Sequence, residues 1–521
     1  MKKLLLLTII LLFLAYLDIY SIVLTGKCFV DLNNDKSYNN NEPGLGALVS
    51  NGRDVVKCKH NGIFNINVEE GDVVFVIKPN GYKFHQTELG NNYFYYVYSN
   101  SGSPVKEYEG YSKNGKQVDT IYFPLIKDDF EKENFKVALL GDSQVSSETE
   151  INYFANSSLI HVMNQNPDFG IMLGDIVYDK LTLIPKLVNS ISKTGLNWYY
   201  LPGNHDINFD AINRENTDDS WNKYLGPSYY SFNYGNVHFL VLFNIHYDGN
   251  KKYHAELGDN QLQFIKNDLS HVPKDKLIAI CMHIPVEQIK DKEKLFDLLE
   301  NRNYTVSFSG HTHTNQQLFI DKRLGWKNSS STHHHIICGA TCGSWWDGVY
   351  DIFGVPQSMM GDGSPKGYWI ADFYNNSYKL TFNSLDKYSN SNLSIWTYSN
   401  DERDSTMNIH FANRKDSIYV NVFGGSSKTI VKANIDNGHW FELTPVVTID
   451  PYYERIIQFQ KNSHWKDFRI MPYWYKDKND SYHLWGFRIP SDLKKGVHII
   501  NVEATDECGI YEKGQRIFNI E

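Results

Sequence analysis

The stretch Phe-Lys-Val-Ala-Leu-Leu-Gly-Asp-Ser-Gln, residues 135–144, decides the fold predicted for the middle of the chain. Phe135–Leu140 is a mostly apolar run with the length of a buried strand. Gly141 and Asp142 follow it directly, so that a carboxylate lies just past the predicted strand end. Open α/β sheets have their functional sites at this edge, where the carboxyl ends of the strands meet. The stretch therefore predicts a strand of an α/β domain with a polar site beside Asp142.

Four further motifs follow the same plan, and each ends or follows an apolar run typical of a strand. They are Gly174-Asp175, Gly203-Asn204-His205-Asp206, Met282-His283 and Gly310-His311-Thr312-His313. Singly they are weak signals, because Gly-Asp is usually a turn and alternate strand residues share a face by geometry alone. Together, in this order and within one domain's length, they indicate a single shared site. Strand and helix patterns alternate between them, which predicts a layered α/β domain.

The side chains in these motifs are those that a two-metal phosphoesterase site needs. Two divalent cations held about 3.5–4 Å apart can activate a hydroxide and stabilise an in-line displacement at phosphorus. Asp175 is the predicted bridge, because a carboxylate has two oxygens and can serve both ions. The predicted terminal ligands are Asp142, Asn204, His283, His311 and His313. His205 is predicted to stay unligated, so that it can protonate the leaving group or stabilise transition-state charge.

The motifs resemble the signature of the calcineurin-like metallophosphoesterases: Asp-x-His, Gly-Asp, Gly-Asn-His-Asp or -Glu, a His after a strand, and Gly-His-x-His. Four of the five elements match, and the resemblance covers residues 134–384. The whole chain is similar to an exported, three-part subfamily with β modules before and after that domain. The marks of that subfamily are Ile-Ile-Cys-Gly-Ala-Thr-Cys-Gly-Ser-Trp-Trp at 336–346 and Gly-Ser-Pro-Lys-Gly-Tyr at 363–368. The resemblance implies an α/β/β/α-type layered domain that hydrolyses phosphate esters, phosphomonoesters above all, through a metal-bridging hydroxide.

The resemblance also implies how the ligands divide between two divalent ions, drawn from Mn, Fe, Mg and Zn. One ion would be held by Asp142, Asp175, His313 and residue 144. The other would be held by Asp175, Asn204, His283 and His311. Asn204 and His205 would face the substrate phosphate, with Asp175 and His205 as the catalytic residues.

Gln144 departs from the family, most of whose members have His at this point, although the three-part subfamily is similar in using Gln. An amide oxygen is a harder and weaker ligand than an imidazole nitrogen, which favours Mn²⁺, Mg²⁺ or Fe over Zn²⁺. We therefore predict that the metal position served by Gln144 loses its ion more readily than the other.

Residues near the motifs have two interpretations each. Asp179, four residues after Asp175, is either a partner that orients His205 or a ligand, or a solvated charge at a helix start. Trp345 and Trp346 are either an aromatic wall of the substrate pocket, and so substrate-binding residues, or a packed core pair.

The chain is too long for one core, and its patterns divide it into four parts. The predicted parts are a signal peptide at 1–21, an N-terminal β-sandwich module at 22–128, the phosphoesterase domain at 129–384 and a C-terminal β-sandwich module at 385–521. Short alternating apolar segments separated by Gly and Asn predict the two β modules.

The first residues predict export. Lys2 and Lys3 precede the apolar run Leu4–Leu17, which is shorter than the roughly 20 residues of a spanning helix. This pattern is typical of a secretory signal peptide, with cleavage near Ser21, and predicts a periplasmic, cell-surface or secreted protein with no stable membrane span after cleavage. The alternative is an uncleaved N-terminal membrane anchor. Six cysteines are too few for a disulfide framework in an exported chain of this size.

The N-terminal module contains a pattern resembling a calcium loop. Positions 1, 3, 5, 7, 9 and 12 of such a loop are occupied by Asp31, Asn33, Asp35, Ser37, Asn39 and Glu42. Lys36 replaces the glycine at position 6, and no helical pattern flanks the loop. The pattern is either a Ca²⁺ site that stabilises the module or an Asn/Asp-rich hairpin loop.

The formal net charge of -9 argues against electrostatic binding of nucleic acid. It is compatible with a phosphorylated substrate, because bound cations invert the local field. The open alternatives to a phosphomonoesterase are a phosphodiesterase, a Ser/Thr protein phosphatase and a surface glycan-binding protein with a vestigial middle domain. Neither the substrate nor the oligomeric state is specified by these patterns.

Overall fold

The computed structural model describes residues 22–104, 107–114, 120–328, 330–385, 391–397, 416–462 and 479–520. The predicted signal peptide lies outside the described residues. Within those ranges, no helix has the length and apolar character needed to cross a membrane.

The N-terminal module consists of two β-sheets that contribute to one buried core. Its strands are β1 (Ile22–Val30), β2 (Leu48–Ser50), β3 (Val55–Lys57), β4 (Ile63–Val68), β5 (Val73–Ile77), β6 (Tyr82–Gln86), β7 (Asn92–Tyr93), β8 (Tyr95–Val97) and β9 (Ile121–Lys127). The sheet orders are β4-β1-β9-β6-β7 and β3-β2-β5-β8. Alternation of buried and exposed residues along β4 gives the sheet one core face and one solvent face. Cys28 and Cys58 lie in this core as thiols, with their Sγ atoms 3.5 Å apart.

The middle domain alternates strands and helices, as predicted. Its strands are β10 (Asn134–Leu140), β11 (Phe169–Met172), β12 (Asn197–Tyr200), β13 (Tyr230–Tyr234), β14 (Val237–Val241), β15 (Ile245–Gly249), β16 (Lys252–Ala255), β17 (Leu277–Cys281), β18 (Thr305–Ser309), β19 (Asn315–Ile320), β20 (His333–Cys338), β21 (Gly367–Tyr374) and β22 (Ser377–Ser384). Its helices are α1 (Glu148–Phe154), which continues through a π-helical turn (Ala155–Leu159) into α2 (Ile160–Gln165), then α3 (Ile184–Ser192), α4 (Asp219–Tyr224), α5 (Asp259–Leu269) and α6 (Lys292–Leu299). Short 3-10 turns occur at Leu181–Leu183, Arg214–Asn216, Val286–Gln288 and Lys322–Leu324.

Two mixed sheets form the centre of this domain. Their strand orders are β12-β11-β10-β21-β22 and β13-β14-β17-β18-β20-β19, and β15 and β16 form a separate hairpin. Strands β10, β11 and β12 run parallel in the first sheet, and β14, β17, β18 and β20 run parallel in the second. Phe169 of β11 contacts Phe232 and Phe239 of the other sheet, with ring centroids 5.9 and 5.6 Å apart. The sheets therefore pack face to face, which explains why β14, β17 and β18 are buried along their whole length.

The five motifs all follow parallel strands of these two sheets. Asp142, Asp175 and Asn204 come after β10, β11 and β12, while His283 and His311 come after β17 and β18. Because parallel strands present their carboxyl ends at one edge, residues far apart along the chain meet there. The topology thus assembles the predicted site by strand direction alone.

The C-terminal module has its own core. Its strands are β23 (Leu393–Thr397), β24 (Ser417–Val422), β25 (Ile430–Ile435), β26 (Phe441–Glu442), β27 (Thr444–Thr448), β28 (Ser481–Arg488), β29 (Gly496–Thr505) and β30 (Tyr511–Ile520), with helix α7 (Pro451–Asn462) between β27 and β28. They form two four-stranded antiparallel sheets, β23-β24-β28-β27 and β26-β25-β29-β30. Val420, Val431 and Trp485 belong to a buried cluster distinct from the one beneath the middle domain. The predicted fold class, an α/β domain between two β modules, is confirmed.

Candidate metal centre

Asp175 lies at the centre of the site, and its carboxylate is buried. Its Oδ2 atom is 3.1 Å from His283 Nε2 and accepts a hydrogen bond of 3.0 Å from Gln144 Nε2. Its Oδ1 atom accepts a hydrogen bond of 2.8 Å from the backbone N–H of His205. One carboxylate therefore contacts residues from three other motifs, as a bridging ligand would require.

The imidazole of His283 is oriented for a cation. Its Nδ1 atom donates to the carbonyl oxygen of Leu173 at 2.9 Å, which leaves Nε2 as the acceptor nitrogen. Nε2 faces Asp175 Oδ2 at 3.1 Å, Asn204 Oδ1 at 3.2 Å and His311 Nδ1 at 3.3 Å. The lone pairs of these facing atoms repel one another, and a shared proton or a bound cation between them removes that repulsion. Without a metal, burial lowers the pKa of His283 but the Asp175 carboxylate outweighs it and raises the pKa to about 9.

A second convergence surrounds Asp142. Its Oδ2 atom accepts from the backbone N–H of His311 at 2.9 Å, while Oδ1 is buried without a hydrogen-bond partner. His313 Nε2 lies 3.5 Å from that Oδ1, and its Nδ1 lies 2.7 Å from the carbonyl oxygen of Gly343. A buried carboxylate oxygen without a donor is costly unless a cation neutralises it. The polar atoms around His283 Nε2 and those around Asp142 Oδ1 therefore both fit divalent metal ions.

Among the described residues, two groups offer three ligand atoms within 4.8 Å of one another. One of them is Asp175, His283 and His311. The other is His246, Asp248 and His254, which the sequence analysis did not identify.

Gln144 lies at the site but presents its amide nitrogen, not its oxygen, to Asp175. Its Oε1 atom faces the thiol of Cys342 at 3.9 Å. In this orientation the side chain donates to the bridging carboxylate, and a half-turn of the amide is needed for the oxygen to act as a ligand. That residue 144 contributes weakly to its metal position stays a prediction.

We expect that mild chelation removes one of two bound ions first and that Gln144→His slows this loss by supplying an imidazole ligand. The rates of metal loss from wild type and Gln144→His are compared by timed EDTA treatment followed by elemental analysis. His271→Gln, at an exposed position, is the matched control. Loss of both ions at one rate in the wild type contradicts the prediction.

The ligand loops have an unusual backbone. Asp142, Gln144, Asp175, His311 and His313 all have positive φ, between 39° and 75°. Each such non-glycine position costs of order 1–3 kcal/mol, and the cost is tolerated where surrounding contacts determine the conformation. The loop conformations are thus held by the site's own hydrogen bonds.

Asp206 supplies several of these bonds, a role that the sequence analysis missed. Its buried carboxylate accepts from the backbone N–H groups of Gly203, Ile176 and Val177 at 2.9, 3.0 and 3.0 Å. Burial, with the charge of Asp175, raises the pKa of Asp206 to about 7. It therefore fastens the third motif to the second without facing the metal positions. The one sequence signal for this role was the place of Asp206 at the end of a Gly-Asn-His-Asp motif.

Gly203→Ala tests whether the loops that carry Gly203 and Asp175 must pack closely against each other. A Cβ atom at position 203 would lie 2.1 Å from Asp175 Oδ1 and 2.4 Å from the Asp175 backbone nitrogen. We expect a loss of about 1–3 kcal/mol in the free energy of unfolding, as for an overpacked core, measured by thermal and urea denaturation. Gly46→Ala is the control, because a Cβ there meets nothing within 4 Å. Equal stability of the two variants contradicts this account.

His205 lies at the solvent side of the site, with 22% of its side chain exposed. Its Nδ1 is 2.6 Å from Asp179 Oδ1, and its ring stacks on Tyr178 with centroids 4.4 Å apart. Burial alone would lower the pKa of His205, but the hydrogen bond to Asp179 and the charge of Asp175 raise it. The structure therefore places Asp179 as the partner that orients His205. Tyr108 of the N-terminal module donates to the carbonyl oxygen of Asp179 at 2.8 Å, so that module supports this pair.

The adjacent tryptophans have different surroundings. The Trp345 ring lies beside the ligand His313, with centroids 4.9 Å apart, and is partly exposed. Trp346 is buried, and its Nε1 donates to the carbonyl oxygen of Ser143 at 2.8 Å. Trp345 thus lies beside the predicted site and Trp346 is packed in the interior, while substrate binding by either residue stays a prediction.

The predicted calcium residues form a closed loop of hydrogen bonds. Asp31 accepts from the N–H groups of Asn34 and Lys36 and lies 2.7 Å from His85 Nε2. Glu42 accepts from the N–H groups of Leu32 and Asn39. Asn33 and Ser37 donate to Asp35, the first through its side chain and the second through its backbone. The carboxylates are used within the loop itself, and a Ca²⁺ site here stays a prediction.

Comparison with protein families agrees with this geometry. Residues 135–315 match the family model described as Calcineurin-like phosphoesterase, and residues 335–511 match the model described as C terminal of Calcineurin-like phosphoesterase. The chain therefore carries a calcineurin-like metallophosphoesterase domain followed by the C-terminal domain of such proteins, with β-sheets before them. The second match begins in β20, so it includes the last strands of the middle domain as well as the C-terminal module. The family implies a dinuclear metal site.

Three similar solved structures each have a TM-score of 0.36. A dimetal phosphatase from Danio rerio is 14% identical and aligns over 48% of this chain and 96% of its own. Purple acid phosphatase PPD1 from yellow lupin seeds is 12% identical, with 70% and 67% covered. PhoD is 9% identical, with 86% and 91% covered. Likeness at this level carries no argument about function. None of the curated proteins matches the chain.

Proposed function

We propose that this protein hydrolyses phosphate esters, with monoesters preferred, at the centre around Asp175. The observation that carries the proposal is the buried carboxylate of Asp175, which contacts residues of three other motifs and offers a ligand atom within 4.8 Å of one on His311 of the fifth, with a His–Asp pair at the solvent side. A monoester dianion suits a centre that would combine two cations with a protonated imidazole. The positive charge of such a centre favours monoesters over diesters, which carry one negative charge fewer.

The residues that would hold the metal ions are those that the resemblance to the calcineurin-like metallophosphoesterases implies. The first position would use Asp142, Gln144, Asp175 and His313, and the second would use Asp175, Asn204, His283 and His311. When bound, two divalent cations supply charge that stabilises the transition state and lower the pKa of the attacking water. The backbone carbonyl oxygens of Leu173 and Gly343 hold His283 and His313 in orientation, because each accepts a hydrogen bond from Nδ1.

His205 performs the proton transfer in this proposal. Its Nδ1–H donates to Asp179, which leaves Nε2 on the opposite edge of a partly exposed ring. The carboxylate favours the doubly protonated imidazole, so that Nε2 carries a proton for the departing alkoxide. The product alcohol and inorganic phosphate then leave, and water restores the proton. Trp345, beside His313, gives the substrate an apolar wall.

Export belongs to the same proposal, which puts the phosphorylated substrate outside the cytoplasm. Its support is the Lys2-Lys3 pair followed by Leu4–Leu17. N-terminal sequencing of the protein recovered from a secreting host tests it. A start near residue 22 agrees with a signal peptide, and retention of residues 1–21 in the membrane fraction indicates the anchor instead.

The enzymatic proposal is tested by turnover with Mn²⁺ of p-nitrophenyl phosphate and its bis-ester. We expect the monoester to have the larger kcat/KM. A larger value for the bis-ester would reassign the chain to phosphodiesterases, and no turnover of either ester together with glycan capture would favour the binding protein. Hydrolysis of a chiral phosphate in ¹⁸O-water should give one inversion, since water attacks phosphorus directly. Net retention would require a covalent intermediate and would overturn that mechanism.

A further inference from the structure

A second cluster of ligand side chains lies on the hairpin β15–β16, away from the five motifs. The hairpin register pairs His246 with His254, and their rings stack with centroids 4.4 Å apart and an interplanar angle of 18°. Asp248 and Glu256, each two residues further on, contact these rings. Antiparallel pairing thus converts two short His-x-acid segments into one four-residue cluster.

Within the cluster, His246 Nδ1 is a buried nitrogen without a hydrogen-bond partner. His254 has Nδ1 at 2.7 Å from Asp248 Oδ2 and Nε2 at 3.0 Å from Glu256 Oε2, so both ring nitrogens face carboxylates. His246 Nδ1 lies 2.8 Å from Glu256 Oε2 in a direction that makes no hydrogen bond, and this nitrogen is buried.

We propose that this cluster binds one divalent ion of the zinc class through His246, Asp248 and His254, with Glu256, which contacts the other ring nitrogen of His254, outside the ligand set. The ligand atoms of the three ligand residues lie within 4.8 Å of one another. Two imidazole nitrogens with a carboxylate oxygen form a donor set that suits Zn²⁺ and disfavours Mg²⁺ and Ca²⁺, which take oxygen ligands. The ion occupies a third metal position, which shares no ligand with the centre around Asp175.

The hairpin connects this position to the active centre. Tyr253 precedes His254 on β16, and its ring lies edge-on to the ligand His311 with centroids 6.3 Å apart. On β15, Tyr247 donates to the carbonyl oxygen of Phe209 at 2.6 Å, which ties the hairpin to the segment after Asp206. An ion that joins β15 to β16 therefore holds Tyr253 in place as a wall of the phosphoesterase site.

The test is zinc binding by the full-length protein in an Asp175→Asn background, which weakens the catalytic centre. After metal removal, equilibrium dialysis against Zn²⁺ alone should show one additional ion per chain relative to His254→Gln or Asp248→Asn in the same background. Each of these variants should weaken that ion's binding at least about tenfold. X-ray absorption should show two imidazole nitrogens at about 2.0–2.1 Å from zinc.

The control is His271→Gln, which removes an exposed histidine from the same domain and should leave the count unchanged. Circular dichroism and the melting temperature of the metal-free proteins check folding. If His254→Gln does not fold, Asp248→Asn tests zinc binding instead, because Asp248 is exposed. Equal zinc binding with and without His254 and Asp248 would overturn the proposal. The readout is stoichiometry, so its failure is distinguishable from failure of the proposed phosphoesterase activity.

Discussion

Asp175→Asn should lower kcat/KM for phosphate esters by more than about 10³-fold and reduce the metal content of the catalytic centre. The substitution keeps the shape of the side chain but removes the charge that faces His283 and one of the two oxygens that accept hydrogen bonds from Gln144 and His205. Loss of a single preorganised electrostatic contact already costs about 10²–10³-fold, and both metal positions share this residue. Steady-state kinetics and elemental analysis of the purified protein measure the two effects.

Asp259→Asn is the matched control for this experiment, because it makes the same chemical change at a position whose side chain is 90% exposed. It should retain wild-type rate and metal content. Residual activity within tenfold of wild type in Asp175→Asn would contradict the assignment of a bridging carboxylate and leave the site as a structural polar cluster.

The second large effect is expected for His205→Ala. Removal of a general acid costs about 10²–10⁴-fold, and the loss should be greatest for alkyl phosphates, whose alkoxide must be protonated as it leaves. p-Nitrophenyl phosphate has a good leaving group and should be affected less. The ratio of kcat for the two substrates, in wild type and variant, is the measurement.

Asp179→Asn completes the comparison. It keeps a hydrogen-bond partner for His205 Nδ1 but removes the charge that helps to raise the pKa of that imidazole. We expect a loss of about 10–100-fold, in the same substrate order as for His205→Ala. An equal loss for alkyl and aryl substrates in His205→Ala would show that His205 only binds phosphate.

Much of the site was predictable because each ligand lies next to a strong local signal. An apolar run identifies β10, and Asp142 follows it within two residues; His283 follows β17 within two residues and Asp175 follows β11 within three. Strand direction then brings these ends to one edge, so no long-range contact had to be known in advance. The alternation of strand and helix patterns likewise predicted helices between the motifs, such as α3, whose buried face is formed by the apolar residues of Ile184–Ser192.

The interpretations left open concern side chains whose surroundings depend on distant residues. Trp345 and Trp346 are neighbours, and only the folded loop decides which ring faces His313 and which donates to Ser143. The role of Asp206 depends on the backbone N–H groups of Ile176 and Val177, about thirty residues earlier in the chain. The orientation of the Gln144 amide depends on Asp175 and Cys342, both remote in sequence.

By itself, the sequence determined an α/β domain between two β modules and the identity of the side chains at one sheet edge, because strand patterns and the residues that follow them are local properties. Tertiary structure alone decided which atoms face one another: the pairing of His205 with Asp179, the binding of three N–H groups by Asp206, and the meeting of His246 with His254. These contacts depend on loop conformation and strand register, which follow from the packing of the whole chain and leave no regular spacing along it.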